Sequence, residues 1–162
     1  MRASSRAILL GAALAVGCAA AASAADAADP LIGTWTLNLE KSTFTPGPAP
    51  KSQTRTYAQS AQGVTLTVTV TGVAADGSAI SQQSTFGYDG KDYPISGSPD
   101  YDALSLKKVN GSTVKADMKL KGAIVGTTTR SISGHGKVLT LKTKAKSAKG
   151  TDYEAVMVFD KQ

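Results

Sequence analysis

Val64-Thr65-Leu66-Thr67-Val68-Thr69-Val70-Thr71 alternates large aliphatic residues with threonine without a break. A period of two sends the aliphatic side chains to one face of an extended chain and the hydroxyls to the other. Val and Thr also favour strands in their own right. The stretch therefore reads as a β-strand with one buried and one wet face. Further along, Val114, Ala116, Met118 and Leu120 alternate with Lys115, Asp117, Lys119 and Lys121, and Ile80, Phe86 and Tyr88 share one parity. No segment after Asp29 shows a convincing helical face.

Turn signals separate these strands at near-regular intervals. Gln62-Gly63, Asp76-Gly77, Asp89-Gly90, Asn110-Gly111, Lys121-Gly122, Gly134-His135-Gly136 and Lys149-Gly150 supply residues that tolerate the positive φ of tight hairpins. The spacing predicts ten strands, at 33–39, 52–60, 63–73, 78–88, 91–96, 101–109, 112–121, 123–133, 137–146 and 151–160. Nearly every link is tight, so the expected fold is all-β, an antiparallel up-and-down meander of eight to ten strands. Such a meander hides its apolar face and its edges by closing into a barrel; a two-sheet sandwich is the alternative. One link differs. Residues 40–51 carry Pro46, Pro48 and Pro50, which fix φ and lack a donor, so an extended loop is expected there, running across one barrel end.

The first 29 residues read differently. Arg2 and Arg6 precede a short apolar run from Ile8 to Val16, and Ala22-Ser23-Ala24 is a small-x-small cleavage pattern. This order describes a secretory signal peptide over 1–24. The expected organisation is then a leader, a flexible segment over 25–32 and one barrel domain over 33–162, in a periplasmic or secreted protein. Net charge falls from +6 to +4 as Arg2 and Arg6 leave, and the single Cys18 leaves too, so no disulfide framework is available. Gly17-Cys18 also fits lipoprotein processing, in which case Cys18 would anchor the chain.

Gly33-Thr34-Trp35, opening the first strand of an all-β barrel of this size, resembles the lipocalin and fatty-acid-binding superfamily. The closing Val156-Met157-Val158-Phe159-Asp160-Lys161 is similar to the last strand of the fatty-acid-binding branch, and ten strands fit that branch. Its helical lid is replaced here by the Pro-rich loop. GTWTLNLEKSTFTPGPAP, TRTY, YDGKDYP, TTTRSIS and FDKQ together resemble a group of small exported bacterial proteins that are lipocalin-like. The resemblance covers nearly all of 31–162. It implies a barrel and export, and brings no established activity.

A barrel of this size can hold one small ligand among a few placed polar groups. The inward parity of 78–88 carries Gln82, Ser84, Phe86 and Tyr88, and that of 123–133 carries Ile124, Gly126, Thr128, Arg130 and Ile132. Gln53, Arg55 and Tyr57 share a parity on the second strand. Arg55 and Arg130 are the only arginines after the leader, against 14 lysines. An inward arginine needs a partner, and a ligand carboxylate would serve. The candidate ligand-binding residues are Arg130, Gln82, Ser84, Tyr88, Phe86, Arg55 and Met118. The competing role for Arg130 is structural. In barrels of this kind an arginine packs over the first-strand tryptophan, which makes Gly33, Trp35 and Arg130 the candidates for barrel closure.

Catalytic groups are scarce. The lone His135 lies between two glycines of a turn, where solvation is expected, and a standard zinc site cannot be assembled. Asp89, Asp92, Asp100 and Asp102 read as turn formers, with no EF-hand spacing. No catalytic residue, metal or cofactor is expected. The expected role is a non-catalytic, monomeric binder of a small apolar, amphipathic or carboxylate-bearing ligand. The alternative is a structural or interaction protein of the bacterial envelope. For that role Lys115, Lys119, Lys121, Lys142, Lys144 and Lys146 offer an outward basic face for an anionic surface. Nucleic acid is not an expected partner.

Overall fold

The alternation that starts at Leu66 continues as a ladder around the whole molecule. The structure, a computed structural model, describes residues 28–60 and 65–162, so the expected leader and Cys18 lie outside the described residues. Ten strands follow one another: β1 (Gly33–Thr45), β2 (Ser52–Gln59), β3 (Leu66–Val73), β4 (Ala79–Phe86), β5 (Asp89–Ser96), β6 (Ala103–Asn110), β7 (Thr113–Leu120), β8 (Ala123–Ser133), β9 (Val138–Lys146) and β10 (Asp152–Lys161). Each pairs antiparallel with its chain neighbours, and β1 pairs with β10 to close the barrel. No helix occurs among the described residues. The expected all-β meander barrel without a helical lid is the observed fold.

Two β-bulges correct the reading. β1 does not end at Leu39; it runs on to Thr45 through a register shift between Asn38 and Thr43. The Ser42 hydroxyl donates to the Asn38 carbonyl at 2.6 Å and accepts from the Val158 amide at 3.0 Å, which fills the gap in the ladder. Only 46–51 is left as the Pro-rich loop. On β8 a shift lies between the pairs Met118–Gly126 and Lys119–Ile124. One extra residue reverses the parity beyond it. Val125 therefore packs against the core, while Ile124, expected inside, is 62% exposed.

The two barrel ends are built from different side chains. At the end where the chain enters, Trp35, Tyr57, Phe86, Leu106, Leu139 and Phe159 are almost wholly buried. Each such side chain stabilises the fold by about 1.5–3 kcal/mol through burial alone. Of the segment expected over 25–32, residues 28–32 are described, and they cover this end. Leu31 is 2% exposed, the Trp35 indole N–H donates to its carbonyl at 2.8 Å, and Asp29 pairs with Lys108 at 3.1 Å. We call this the closed end. At the other end, the mouth, the inward positions of β8 and β9 are Gly126, Thr128, Thr143 and Ala145, and those of β10 are Tyr153, Ala155 and Met157. A methyl group on Gly126 would run into the Ala145 side chain and backbone, so β8 and β9 meet there only because position 126 is bare.

Candidate functional site

Between these two halves lie the two arginines. Alternation on β2 turns Gln53, Arg55 and Tyr57 inward, and alternation on β8 turns Thr128 and Arg130 inward. Both guanidinium groups are buried, Arg55 at 8% and Arg130 at 4% exposure. Among the described residues neither forms an ion pair. Arg55 Nε donates to Gln53 Oε1 at 3.3 Å, a long bond, and its guanidinium lies 5.4 Å from the Phe159 ring centre. Arg130 lies 5.3 Å from the Phe86 ring and 5.9 Å from the Tyr57 ring. Its Nε and Nη1 have no hydrogen-bond partner, nor has the buried Tyr57 hydroxyl.

The charges act on the neighbouring phenols. Burial alone would raise Tyr57, but Arg130 and Arg55 together outweigh it and hold Tyr57 below its ordinary value. Tyr101, just ahead of β6, feels the same two cations, yet burial dominates and pushes it up. Burial, with Tyr101 and Asp100 nearby, pushes Tyr153 on β10 up to about 12. The cluster is thus Arg55, Arg130, Tyr57 and Tyr101, resting on the faces of Phe86 and Phe159.

Access to it differs at the two ends. At the mouth a pocket of about 330 Å³ opens beneath the Pro-rich loop, lined by Phe44, Pro46, Pro48, Pro50, Gln53 and Met157 among others. Gln53 links that pocket to Arg55. At the closed end the space beside Arg130 is about 10 Å³, bounded by 29–31 and 110–112, which is room for about one water.

The expected site residues divide accordingly. Arg55, Arg130 and Phe86 come together in the cluster. Gln82 is half-buried on β4. Ser84 is buried, but its hydroxyl already donates to the Pro94 carbonyl at 2.8 Å, tying β4 to a β5 with which it shares only two register pairs. Met118 is ordinary core. Tyr88 belongs to the closed end: it meets Phe86 edge-on at 6.0 Å, with Lys108 4.5 Å above its ring. Its hydroxyl is buried without a partner, and burial, with the Asp29 charge, raises its pKa.

The expected closure of Trp35 by Arg130 is corrected. Lys161 sits over the Trp35 ring at 5.0 Å, because the β1–β10 register sets Trp35 opposite Lys161. Gly33, with φ at +131°, leaves room for that lysine stem. Tyr57 and Gln53 were legible as inward by parity with Arg55 but were not singled out. Tyr101 opens the expected strand 101–109 on the parity opposite to Leu104 and Leu106, and the observed β6 begins two residues after it.

The other polar groups have local duties. Asp89 accepts from the Lys91 amide at 3.0 Å, Asp92 pairs with Lys119 at 2.7 Å, Asp100 accepts from the Ala148 amide at 2.9 Å and Asp102 from the Lys121 amide at 2.9 Å. His135 is exposed in the β8–β9 turn with φ at +55°. On the outer wall Lys144 pairs with Glu154 and Lys146 with Asp152, both at 2.8 Å, which reduces the basic face. Lys107, Lys115 and Lys142 are left in one row across β6 to β9, with Thr129 between the last two.

No family model and no curated protein matches the chain. Among solved structures it is similar to a zebrafish ileal bile acid-binding protein complexed with cholic acid, at a TM-score of 0.50 and 14% identity, over 82% of this chain and 99% of that one. Looser likenesses are lobster apocrustacyanin A1 (TM-score 0.42, 15% identity, 83% of this chain and 62% of that one) and a redesigned β-barrel, mFAP1, bound to DFHBI (0.45, 12%, 82% and 95%). The fold is that of a lipocalin-like or fatty-acid-binding-like barrel.

Proposed function

We propose that this lipocalin-like barrel is an exported bacterial carrier that takes a small amphipathic anion through its mouth and holds the anionic group at Arg55 and Arg130. The observation that carries the reading is the pair of buried guanidinium groups with no acidic partner among the described residues. Burying an unpaired charge costs several kcal/mol. Cation–π contacts return about 2 kcal/mol or more each when desolvated, and one long hydrogen bond to Gln53 adds little. The deficit is removed by an acceptor from outside. The mouth pocket offers Phe44, three prolines, Ala155 and Met157 to the remainder of such a ligand, beside Tyr153 and the carboxylates of Asp100 and Glu154, and Gln53 Oε1 holds one guanidinium donor until the ligand arrives.

Export rests on the leader pattern over 1–24, with a periplasmic or secreted protein as its outcome and a Cys18 lipid anchor as the alternative. The carrier is read as monomeric and non-catalytic. The zebrafish neighbour is complexed with cholic acid, which is compatible with a small guest for such a fold.

Native mass spectrometry of protein purified from its own host tests this, with a thermal-shift panel of single-chain carboxylates, sulfates and phosphates. A bound mass, or a shift that Arg130→Met abolishes, supports the carrier. An empty barrel with no shift from any amphiphile refutes it. A second reading, an envelope interaction protein, draws on the row of Lys107, Lys115 and Lys142, none of which has an acidic partner among the described residues. Replacing those three by Gln should then abolish sedimentation with anionic vesicles or acidic glycan.

A further inference from the structure

We propose that the ligand's anionic group is a tetrahedral dianion, in chemical class the phosphate monoester of a single-chain alcohol, held between Arg55 and Arg130 with Tyr57 donating to it. This rests on the carrier reading above and sharpens its ligand class.

Charge is the first argument. Arginine stays protonated at any pH a protein survives, so the cluster carries two positive charges. Asp29, which lines the same small space as Arg130, is committed to Lys108 and to the Leu31 amide. On the mouth side Asp100 accepts from the Ala148 amide and Glu154 is paired with Lys144. A monocarboxylate would neutralise one of the two charges and leave the other buried. A phosphate monoester, near two negative charges at neutral pH, matches both.

Convergence is the second. Two cations in a barrel could serve two separate carboxylates. Here the Arg130 guanidinium lies 5.9 Å from the ring of Tyr57, and Tyr57 is the next inward residue after Arg55 on β2, so both cations border the same phenol. A single compact group of doubled charge fits that better than a dicarboxylate with its ends held apart.

Donors are the third. Arg130 Nε, Arg130 Nη1 and the Tyr57 hydroxyl are buried without acceptors, and Arg55 spends its Nε on a 3.3 Å bond to Gln53. The site therefore presents an excess of donors. A carboxylate could accept three such bonds with its two oxygens, so this count favours an oxyanion without choosing the type; the charge chooses. The mouth is lined by Phe44, Pro46, Pro48, Pro50 and Met157 together with Tyr153, Asp100 and Glu154, so the part of the ligand behind the head group has to be uncharged, and an apolar chain meets the prolines, Phe44 and Met157.

The test is isothermal titration of the 25–162 chain at pH 8 with decanoate, decyl sulfate and decyl phosphate, each below its micelle concentration. The three share a chain. The first two share a charge, and the last two share a shape. We expect decyl phosphate to bind at least about tenfold tighter than either of the others. In Arg55→Met, whose fold is checked by circular dichroism, that preference should fall to parity with decyl sulfate. Tyr57→Phe should weaken the phosphate several-fold and serves should Arg55→Met not fold. Decyl sulfate equal to decyl phosphate in the unsubstituted protein overturns the dianion, and decanoate binding tightest overturns the tetrahedral head, with the carrier reading intact in both cases. Failure of all three to bind overturns the carrier reading itself.

Discussion

The closed end and the mouth of this barrel use the same ten strands for opposite ends. Toward the closed end the inward side chains are large and aromatic, the N-terminal residues 28–32 are docked across the opening, and the space beside Arg130 admits about one water. Toward the mouth the β8 and β9 positions shrink to Gly, Ala and Thr, and a pocket of about 330 Å³ opens under the Pro-rich loop. Stability is concentrated in one half and room in the other. The two guanidinium groups sit on the boundary, on aromatic rings belonging to the closed half.

If that division is right, truncating the closed half is the most damaging change. Trp35→Ala should cost about 3–5 kcal/mol in urea unfolding, since the indole is fully buried and its N–H bond holds Leu31. A cost under about 1 kcal/mol would mean that the aromatic layer is not the stabilising unit. In the mouth half the sensitivity is reversed, toward added volume. Gly126→Val should cost about 1–3 kcal/mol, because its Cβ would meet the Ala145 side chain and backbone.

Arg130→Met tests the boundary itself. Replacing a buried, unpaired cation by an apolar side chain of similar length should leave stability unchanged or raise it by about 1 kcal/mol. Binding of an anionic amphiphile should meanwhile fall more than tenfold. A large loss of stability would make Arg130 a structural post instead.

The tyrosines supply a subtler contrast, read by absorbance at 295 nm. Tyr57 is held low, so it should ionise first, and Tyr57→Phe should remove that earliest phase. Its contribution to stability is fully present above the unfolded phenol value near 10 and is lost as pH falls through its own lower value. Tyr153, pushed up to about 12, behaves in the opposite sense. Its contribution is present below pH 10 and fades as pH rises toward 12. Smallest of all, Ile124→Ser on the outward side of the β8 bulge should change stability by no more than about 0.5 kcal/mol.

Much of the closed barrel was legible because its signals are local. Alternation from Leu66 to Thr71 and from Val114 to Lys121, with Gly-containing turns between, places the strands and their faces with no knowledge of partners. Where the reading failed, the deciding contact is distant in sequence. The strand from 40 to 45 exists because β10 pairs with it across the Ser42 bulge. Lys161 displaces Arg130 from Trp35 because of a β1–β10 register that no local pattern encodes. Thr54 and Ala58 on the opposite parity blur the β2 pattern around Arg55; its burial follows from the closure of β2 between β1 and β3. Parity alone places Ile124 inside, because the one bulge residue that reverses it leaves no mark in the sequence.

The sharpest measurement exploits how few reporters the 25–162 chain carries: two arginines and one tryptophan. In a ¹⁵N-resolved NMR titration with decyl phosphate, the Nε–H signals of Arg55 and Arg130 should shift saturably, with the Trp35 indole signal at the closed end nearly still. A Trp35 shift with both arginine signals unmoved would contradict the account.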